Sequence, residues 1–356
     1  MDEAVQRESK NVRENAGVLD GSTLGKIEIK GKDALAFMNL IYTNSFSKMK
    51  PGTSRYALML GEDGMVKDDG IICKISDEHF IATTTTGGAA TVLGCMEEYA
   101  QTEWPNLNVY MNSITEQYAT FNISGPKTRN IIEKVFPEVN FSNEAFPFMT
   151  FQFHEYEDTP IRILRASFTG EMGYEIYVPS NQALKIWEKI INFGKEFGLM
   201  PYGTETMHLL RAEKGYIIVG QDTDGSITPL DLGLDWMIGK SKKDFLGKRS
   251  LIRSDTVRKD RKQLVGILPT NKNEKLEEGQ HIILDKEIKT PTPMLGHITS
   301  CYQSPTLGHN FALAVIKNGQ SLIGTKAFAS TPELKTIEVE IVEPIFYDKE
   351  NTKLAS

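Results

Sequence analysis

From Ser241 to Gln263 the chain reads SKKDFLGKRSLIRSDTVRKDRKQ, charged and polar, and beyond it the character of the sequence changes. The runs LVGILP, HIILD, GHITSC, FALAVI and IEVEIV follow one another, separated by Pro, Gly and Asn. Alternation of apolar and polar residues is strand patterning, and short strands spaced by turn residues build an all-β unit. Residues 262–348 are therefore expected to fold as a separate C-terminal barrel or sandwich.

What precedes mixes both periodicities. With 356 residues the chain exceeds the usual single-domain range, so two or three domains are expected. Helical spacing predicts helices over 4–15, 33–44, 89–102 and 126–135, with strands at 17–20, 25–30, 55–60, 69–75, 79–84, 107–113 and 117–123. Further on, strands are expected at 149–155, 161–167 and 174–178, then helices at 181–197 and 203–215. This order implies an α+β class, antiparallel sheets with helices packed on one side. Residues 1–261 are read as two intertwined α+β subdomains with a break near 140–147.

Charge and composition exclude several functions. A net charge of -7 leaves no basic excess to neutralise phosphates, which argues against nucleic acid and anionic membranes as partners. The one cationic concentration, Lys240 to Lys262, is read as the solvated face of a helical linker. Cys73, Cys95 and Cys301 stand far apart, and the six histidines show no HxxxH or HExxH pairing, so neither a disulfide framework nor a metal enzyme is expected. The polar amino terminus has no apolar core, and no stretch reaches the length needed to span a bilayer. The expected location is cytoplasmic.

The chemistry concentrates in RYALMLGEDGMVKDDG, residues 55–70, where a strand turns through Gly61–Gly64 and delivers Asp68 and Asp69. Successive strand side chains point to opposite faces, so only one of the two carboxylates can face an interior cavity. The structural alternative is a turn whose carboxylates bond backbone amides. In FIATTTTGG, Thr84 and Thr85 end a strand where paired glycines permit close approach to a ligand. In SFTGEMGYE, Glu171 falls in the turn, as a turn-stabilising acceptor, and Glu175 on the strand that follows.

Several segments together resemble the aminomethyltransferase family, which comprises the glycine-cleavage T-protein and its relatives in sarcosine and dimethylglycine oxidation. They are VLDGSTLGKIEIKG, MLGEDGMVKDDG, SFTGEMGYEIYV, LLRAEKGYIIVGQDTDGSITPLDLGLDW and SPTLG. Within the family, STLGKIEI, IYTNSFSKM, TTTTGG, TEWP and YGTETMHLLRAEKG resemble the folate-binding part of the sarcosine oxidase alpha subunit. The resemblance implies a three-domain cloverleaf with tetrahydrofolate in a central channel. It assigns the catalytic carboxylate to Asp68, the first of the pair, and a carboxylate that accepts pterin N–H donors to Glu175. Tyr56, Thr84, Thr85, Phe148 and Phe168 are implied to border the pterin.

Two departures narrow the reading. Met207 stands where T-proteins carry an Arg at the start of the helix before RLEAG, and their late Arg has no counterpart in GTKAFASTPEL. Both argue against glycine cleavage proper and agree with the sarcosine oxidase likeness. The chain also starts without the upstream segment usual in T-proteins and has no GxGxxG fingerprint. It is therefore read either as a split-off part of a larger oxidase or as a reduced standalone homologue. The expected activity is acceptance of a one-carbon unit from a sarcosine-derived imine, forming 5,10-methylenetetrahydrofolate with a flavin-containing oxidase subunit as partner. A standalone transferase acting on another methylated donor and a non-catalytic folate-binding module remain as alternatives.

Overall fold

The computed structural model describes residues 3–288 and 291–356. The chain opens with α1 (Glu3–Glu14), β1 (Ala16–Asp20), β2 (Gly25–Lys30) and α2 (Ala34–Ile41), followed by β3 (Thr53–Leu60), β4 (Val66–Ser76), β5 (His79–Thr84) and α3 (Ala89–Thr102). Next come β6 (Tyr110–Ser113), β7 (Tyr118–Ser124), α4 (Thr128–Val135), β8 (Phe151–Tyr156), β9 (Thr159–Leu164), β10 (Gly173–Pro179), α5 (Ala183–Gly194), β11 (Leu199–Pro201) and α6 (Thr204–Glu213). Strands β12 (Lys262–Pro269), β13 (His281–Ile283), β14 (Gly296–Ser304), β15 (His309–Lys317), β16 (Lys326–Ser330) and β17 (Thr336–Val342) precede the short C-terminal α7 (Thr352–Ala355).

Two sheets and a barrel result. One sheet has the order β3-β4-β5-β2-β6, and α2 and α3 cover one of its faces with a core that includes Phe37, Met38, Met59, Phe80, Val92 and Met96. The other sheet runs β11-β1-β7-β10-β9-β8, and α4 and α5 pack on it through Ile123, Ile131, Tyr174, Ile176 and Ile190. The faces left free of helices meet. Cys73 and Ile81 from the first sheet pack against Phe151, Leu164 and Tyr177 from the second. Period-two burial makes this possible, since each strand supplies apolar side chains to both of its faces.

The intertwining follows from β1 and β2, consecutive in sequence but in different sheets. The chain crosses between the sheets at residues 21–24 and returns after β6. The expected break near 140–147 does not coincide with either crossing. β7 before it and β8 after it belong to the same sheet, and Phe141 and Phe146 are buried in that sheet's core. The stretch FPEVNFSNEAF spaces its three buried aromatics, Phe136, Phe141 and Phe146, among polar residues, which is why it reads as a break in the sequence.

The C-terminal strands close into an antiparallel barrel, β12-β15-β14-β13-β16-β17, filled by Val265, Ile267, Ile298, Ala312, Ala314, Val339 and Ile341. Strand β15 is buried on both faces, and Phe311, Leu313 and Val315 join Leu58, Leu60, Leu209 and Ala212 in a core that attaches barrel, α6 and first sheet to one another. The basic run before the barrel is not a solvated helix. It forms a short 3-10 turn at Lys248–Ile252, the ammonium of Lys242 is capped by the carbonyls of Tyr42 and Asn44, and Arg261 pairs with Asp231 at 2.8 Å. Among the described residues no helix is long and apolar enough to cross a membrane.

Candidate active site

The β3–β4 hairpin delivers Asp68 and Asp69 to opposite faces. Asp68 lies across from Met59, in the core under α2 and α3, whereas Asp69 lies across from Leu58, in the core shared with α6 and the barrel. Cross-strand partners share a face, so the pairing fixes which side each carboxylate takes.

Asp68 is 2% exposed and sits at the amino end of α3. A side chain at Gly88 would bring its Cβ to 2.7 Å from the Asp68 Oδ2, so only glycine admits the carboxylate there. The amino terminus of the helix favours an anion at this position. Neither Asp68 oxygen makes a hydrogen bond of normal geometry. Burial raises its pKa, and the Thr85 hydroxyl and the amides of Asp69 and Thr85 act in the opposite direction. Asp68, the expected reagent, turns its carboxylate toward the helix-covered face, where both oxygens are buried without a partner.

Asp69 faces the aromatic side. The hydroxyl of Tyr56 donates to its Oδ2 at 2.6 Å. Burial pushes the Asp69 carboxyl up to about 7, the Tyr56 bond opposing and the Asp68 charge adding to the shift. The same surroundings hold the Tyr56 phenol protonated, its pKa well above the ordinary value, with Tyr216 among the electrostatic neighbours. Tyr216 in turn stacks on Phe168, centroids 5.8 Å apart at 19°.

Phe168 leads to Glu175. Both line a narrow cleft with Leu19, Asn122, Tyr202 and Met207. On β10, Glu175 and Tyr177 project to the face opposite Tyr174 and Ile176, and Tyr177 donates to the Glu175 Oε2 at 2.5 Å. Burial raises the Glu175 pKa, and Tyr177, Arg162 and Lys26 pull it down.

Tyr56 and Asp69, joined by a hydrogen bond, lie within electrostatic reach of the Tyr216–Phe168 stack that leads to the Glu175 cleft. Thr84 and Thr85 do not join this group. The Thr84 hydroxyl donates to the Thr85 carbonyl at 2.9 Å, and the Thr85 hydroxyl accepts the Gly88 amide at 3.0 Å, so both build the turn that starts α3. Phe148 is 39% exposed in the connection before β8 and lines neither this cleft nor the larger one described below.

Asn122, Tyr202 and Tyr216 were not anticipated. A polar residue inside the apolar strand ATFNIS was the available signal for Asn122. Tyr202 and Tyr216 flank α6, and only the tertiary path of that helix brings them here.

Glu171 is not the acceptor of its own turn. Its Oε1 receives Arg13 at 3.1 Å and the Tyr347 hydroxyl at 2.6 Å, while Arg13 also bonds Glu213 at 2.5 Å. Among the described residues no cluster of His, Cys, Asp or Glu is placed to hold a metal ion. A larger cleft of about 460 Å³ opens between α6 and the barrel, lined in part by His208, Gln221, Glu278, Cys301 and Tyr302. It shares no residue with the Glu175 cleft.

Residues 1–242 match the GCVT N-terminal domain, and residues 262–348 match the glycine cleavage T-protein C-terminal barrel domain. The chain belongs to the glycine cleavage T-protein family. It is 30% identical to an aminomethyltransferase of Thermoanaerobacter pseudethanolicus over 99% of this chain and 91% of that protein. It is 47% identical to the sarcosine oxidase subunit alpha of Corynebacterium sp. (strain U-96) over 99% of this chain, and 39% identical to that of Rhizobium meliloti. The chain spans 37% of the length of the Corynebacterium subunit and 36% of the Rhizobium one. The fold is that of the glycine cleavage system aminomethyltransferase T from Bartonella henselae, with a TM-score of 0.84 at 22% identity, covering 97% of this chain and 90% of that one.

Proposed function

We propose that this chain takes a one-carbon unit from a sarcosine-derived imine and passes it to tetrahydrofolate, forming 5,10-methylenetetrahydrofolate, beside flavin-containing oxidase subunits. The observation that carries the reading is Glu175, a carboxylate tied by one oxygen to Tyr177 and set on the wall of a cleft beside Phe168. A pterin edge presents adjacent N–H donors, and a carboxylate in a desolvated wall accepts them with charge-assisted hydrogen bonds. Bound tetrahydrofolate supplies the nucleophilic nitrogen that takes up the one-carbon unit.

The chain's own residues do the rest. Phe168 and Tyr216 offer stacked aromatic surface for a flat ring. Asp69, with a pKa near neutrality, is poised to take or return a proton through its bond to Tyr56. Its negative form also stabilises a cationic one-carbon donor beside it. The 47% likeness to sarcosine oxidase alpha subunits supports the sarcosine-derived donor and the oxidase partner. A standalone transferase is the second reading, favoured by the aminomethyltransferase relative that the chain covers over 91% of its length.

Titration calorimetry with tetrahydrofolate tests the site. Glu175→Ala is expected to weaken binding by about 1.5–3 kcal/mol, the scale of hydrogen bonds to a charged group. Unchanged affinity in a folded variant removes Glu175 from the cofactor site.

A further inference from the structure

Behind the Glu175 wall lie two buried cations that no part of the proposed chemistry uses. Arg162, on β9 and opposite Tyr177 in the ladder, is 5% exposed, and its guanidinium carbon sits 4.0 Å from the centroid of the Tyr177 ring. Its Nε is buried without a hydrogen-bond partner, and among the described residues it forms no ion pair within 4.0 Å. Lys26, on β2 of the facing sheet, is fully buried, and its ammonium is held by the carbonyls of Ser22 at 3.0 Å and Leu24 at 2.9 Å. A buried guanidinium with no anion against it is costly unless a charge nearby compensates it. The carboxylate available to both cations is Glu175, one residue of separation along the relay: Arg162 over the ring, the ring's hydroxyl on Glu175.

We propose that the Arg162–Tyr177 stack is a positioning device for the folate site, which fixes the Glu175 side chain in its charged form and directs its second oxygen into the cleft. The inference rests on the reading of Glu175 as the pterin acceptor. The physical route has two parts. A cation on the face of a phenol draws electron density from the ring and strengthens the hydroxyl as a donor, which fixes the Glu175 rotamer. The same cation lowers the cost of keeping the carboxylate ionised inside the protein. Arg162 and Tyr177 do not line the cleft and act through Glu175, so they are positioning residues. A protonated Glu175 would present a donor to a donor edge, so this charge decides whether the site recognises a pterin at all.

The groups facing Glu175 are Tyr177 on its own strand, Arg162 on β9, Lys26 on β2, Cys73 on β4 and Tyr202 beside α6. Tyr177, Cys73 and Tyr202 all titrate above their ordinary values, so they stay neutral below pH 7. Lys26 is brought down to about 8, and His79, near Arg162, is held below its ordinary value. Between about pH 5 and 7 the charges of Lys26, Tyr177, Cys73 and Tyr202 are constant, and His79 is the neighbour that titrates alongside Glu175.

The experiment follows the Glu175 carboxyl directly by NMR in protein labelled with 13C at the glutamate carboxyls, the signal being assigned from its absence in Glu175→Gln. Tetrahydrofolate affinity is measured over the same pH range. In Arg162→Met the midpoint is expected to rise by about one pH unit, with affinity about tenfold lower on the acid side. Arg162→Lys should return both toward wild type. Tyr177→Phe, which keeps the ring and loses only the hydroxyl, should move them as Arg162→Met does and serves if that variant does not fold. If the wild type binds tetrahydrofolate and neither variant moves the Glu175 midpoint or the affinity, the positioning role is overturned alone. If the wild type binds no tetrahydrofolate at any pH, the folate reading falls and the proposal with it.

Discussion

Asp68 and Asp69 are one pleat apart, and the two sides of that pleat are different solvents. Asp68 meets the amino end of α3 and Asp69 meets the hydroxyl of Tyr56. If Asp69 carries the proton, Asp69→Asn should leave folate affinity largely intact and cut one-carbon transfer by about 10²-fold or more, the usual weight of a positioned acid or base. Asp68→Asn should act milder on transfer and show its effect in stability. The opposite ranking, measured as methylenetetrahydrofolate formation, would return the catalytic role to Asp68. A second consequence follows from linkage. The Asp69 carboxyl is raised to about 7, so the folded state binds its proton more tightly than the unfolded state does. Stability from this group is full below the unfolded value near 4 and is lost as pH rises toward 7. Asp69→Asn carries no such charge, so its midpoint in urea should gain on the wild type progressively between about pH 4 and pH 7. A constant difference across that range would show that Asp69 is not desolvated. The adjacency of the pair was legible in the sequence. Which core each member turns toward was not, because a bulge between Met59 and Leu60 resets the register of the hairpin.

Among the elements, α6 is where the three parts of the molecule are joined. Its last turn carries Arg211, Glu213 and, just beyond, Lys214, and each is spent on a different neighbour. Arg211 pairs with Asp222, whose other oxygen takes the Thr299 hydroxyl of β14 at 2.5 Å. Glu213 pairs with Arg13 of α1 and accepts Ser304 of the barrel, and Lys214 pairs with Asp348 near the C-terminus. All these groups are nearly excluded from water, so removing one partner strands the other in the interior. Glu213→Gln should therefore cost about 3–5 kcal/mol, read as a loss of unfolding free energy in urea, whereas Asp260→Asn, in the exposed pair with Arg258, should leave the urea midpoint essentially unchanged. Equal effects would mean that α6 is held by its apolar face alone. Elements with a sustained period were readable from the chain: the spacing over 89–102 gives α3 with both ends in place. Glu171 was read as a local turn acceptor because a sequence window of a few residues cannot see Arg13 and Tyr347, which approach from far away in the chain.

At the scale of the whole molecule, two sheets pack face to face, the Glu175 cleft opens between the second sheet and α6, and the barrel packs on α6 and the first sheet. The barrel was legible because its strands alternate and its turns are punctuated by Gly and Pro. The partition of the rest was not, since β1 and β2 sit next to each other in sequence and enter different sheets. If the Glu175 cleft takes the pterin and Asp69 carries the proton, an N-methyl amine must be oxidised before its carbon reaches the site. The cationic product of that oxidation hydrolyses in water, so delivery through a contact that excludes solvent is favoured over free diffusion. The expected behaviour is then specific. With sarcosine and oxygen the purified chain alone should consume no oxygen. Added to a flavin-containing sarcosine oxidase preparation lacking this region, it should divert the carbon from formaldehyde to methylenetetrahydrofolate without changing the rate of oxygen uptake, because oxidation precedes transfer. Asp69→Asn should restore formaldehyde while oxygen uptake continues, which separates a block in transfer from a block in oxidation. Methylenetetrahydrofolate formed from a methylated donor by the chain alone would instead select the standalone transferase.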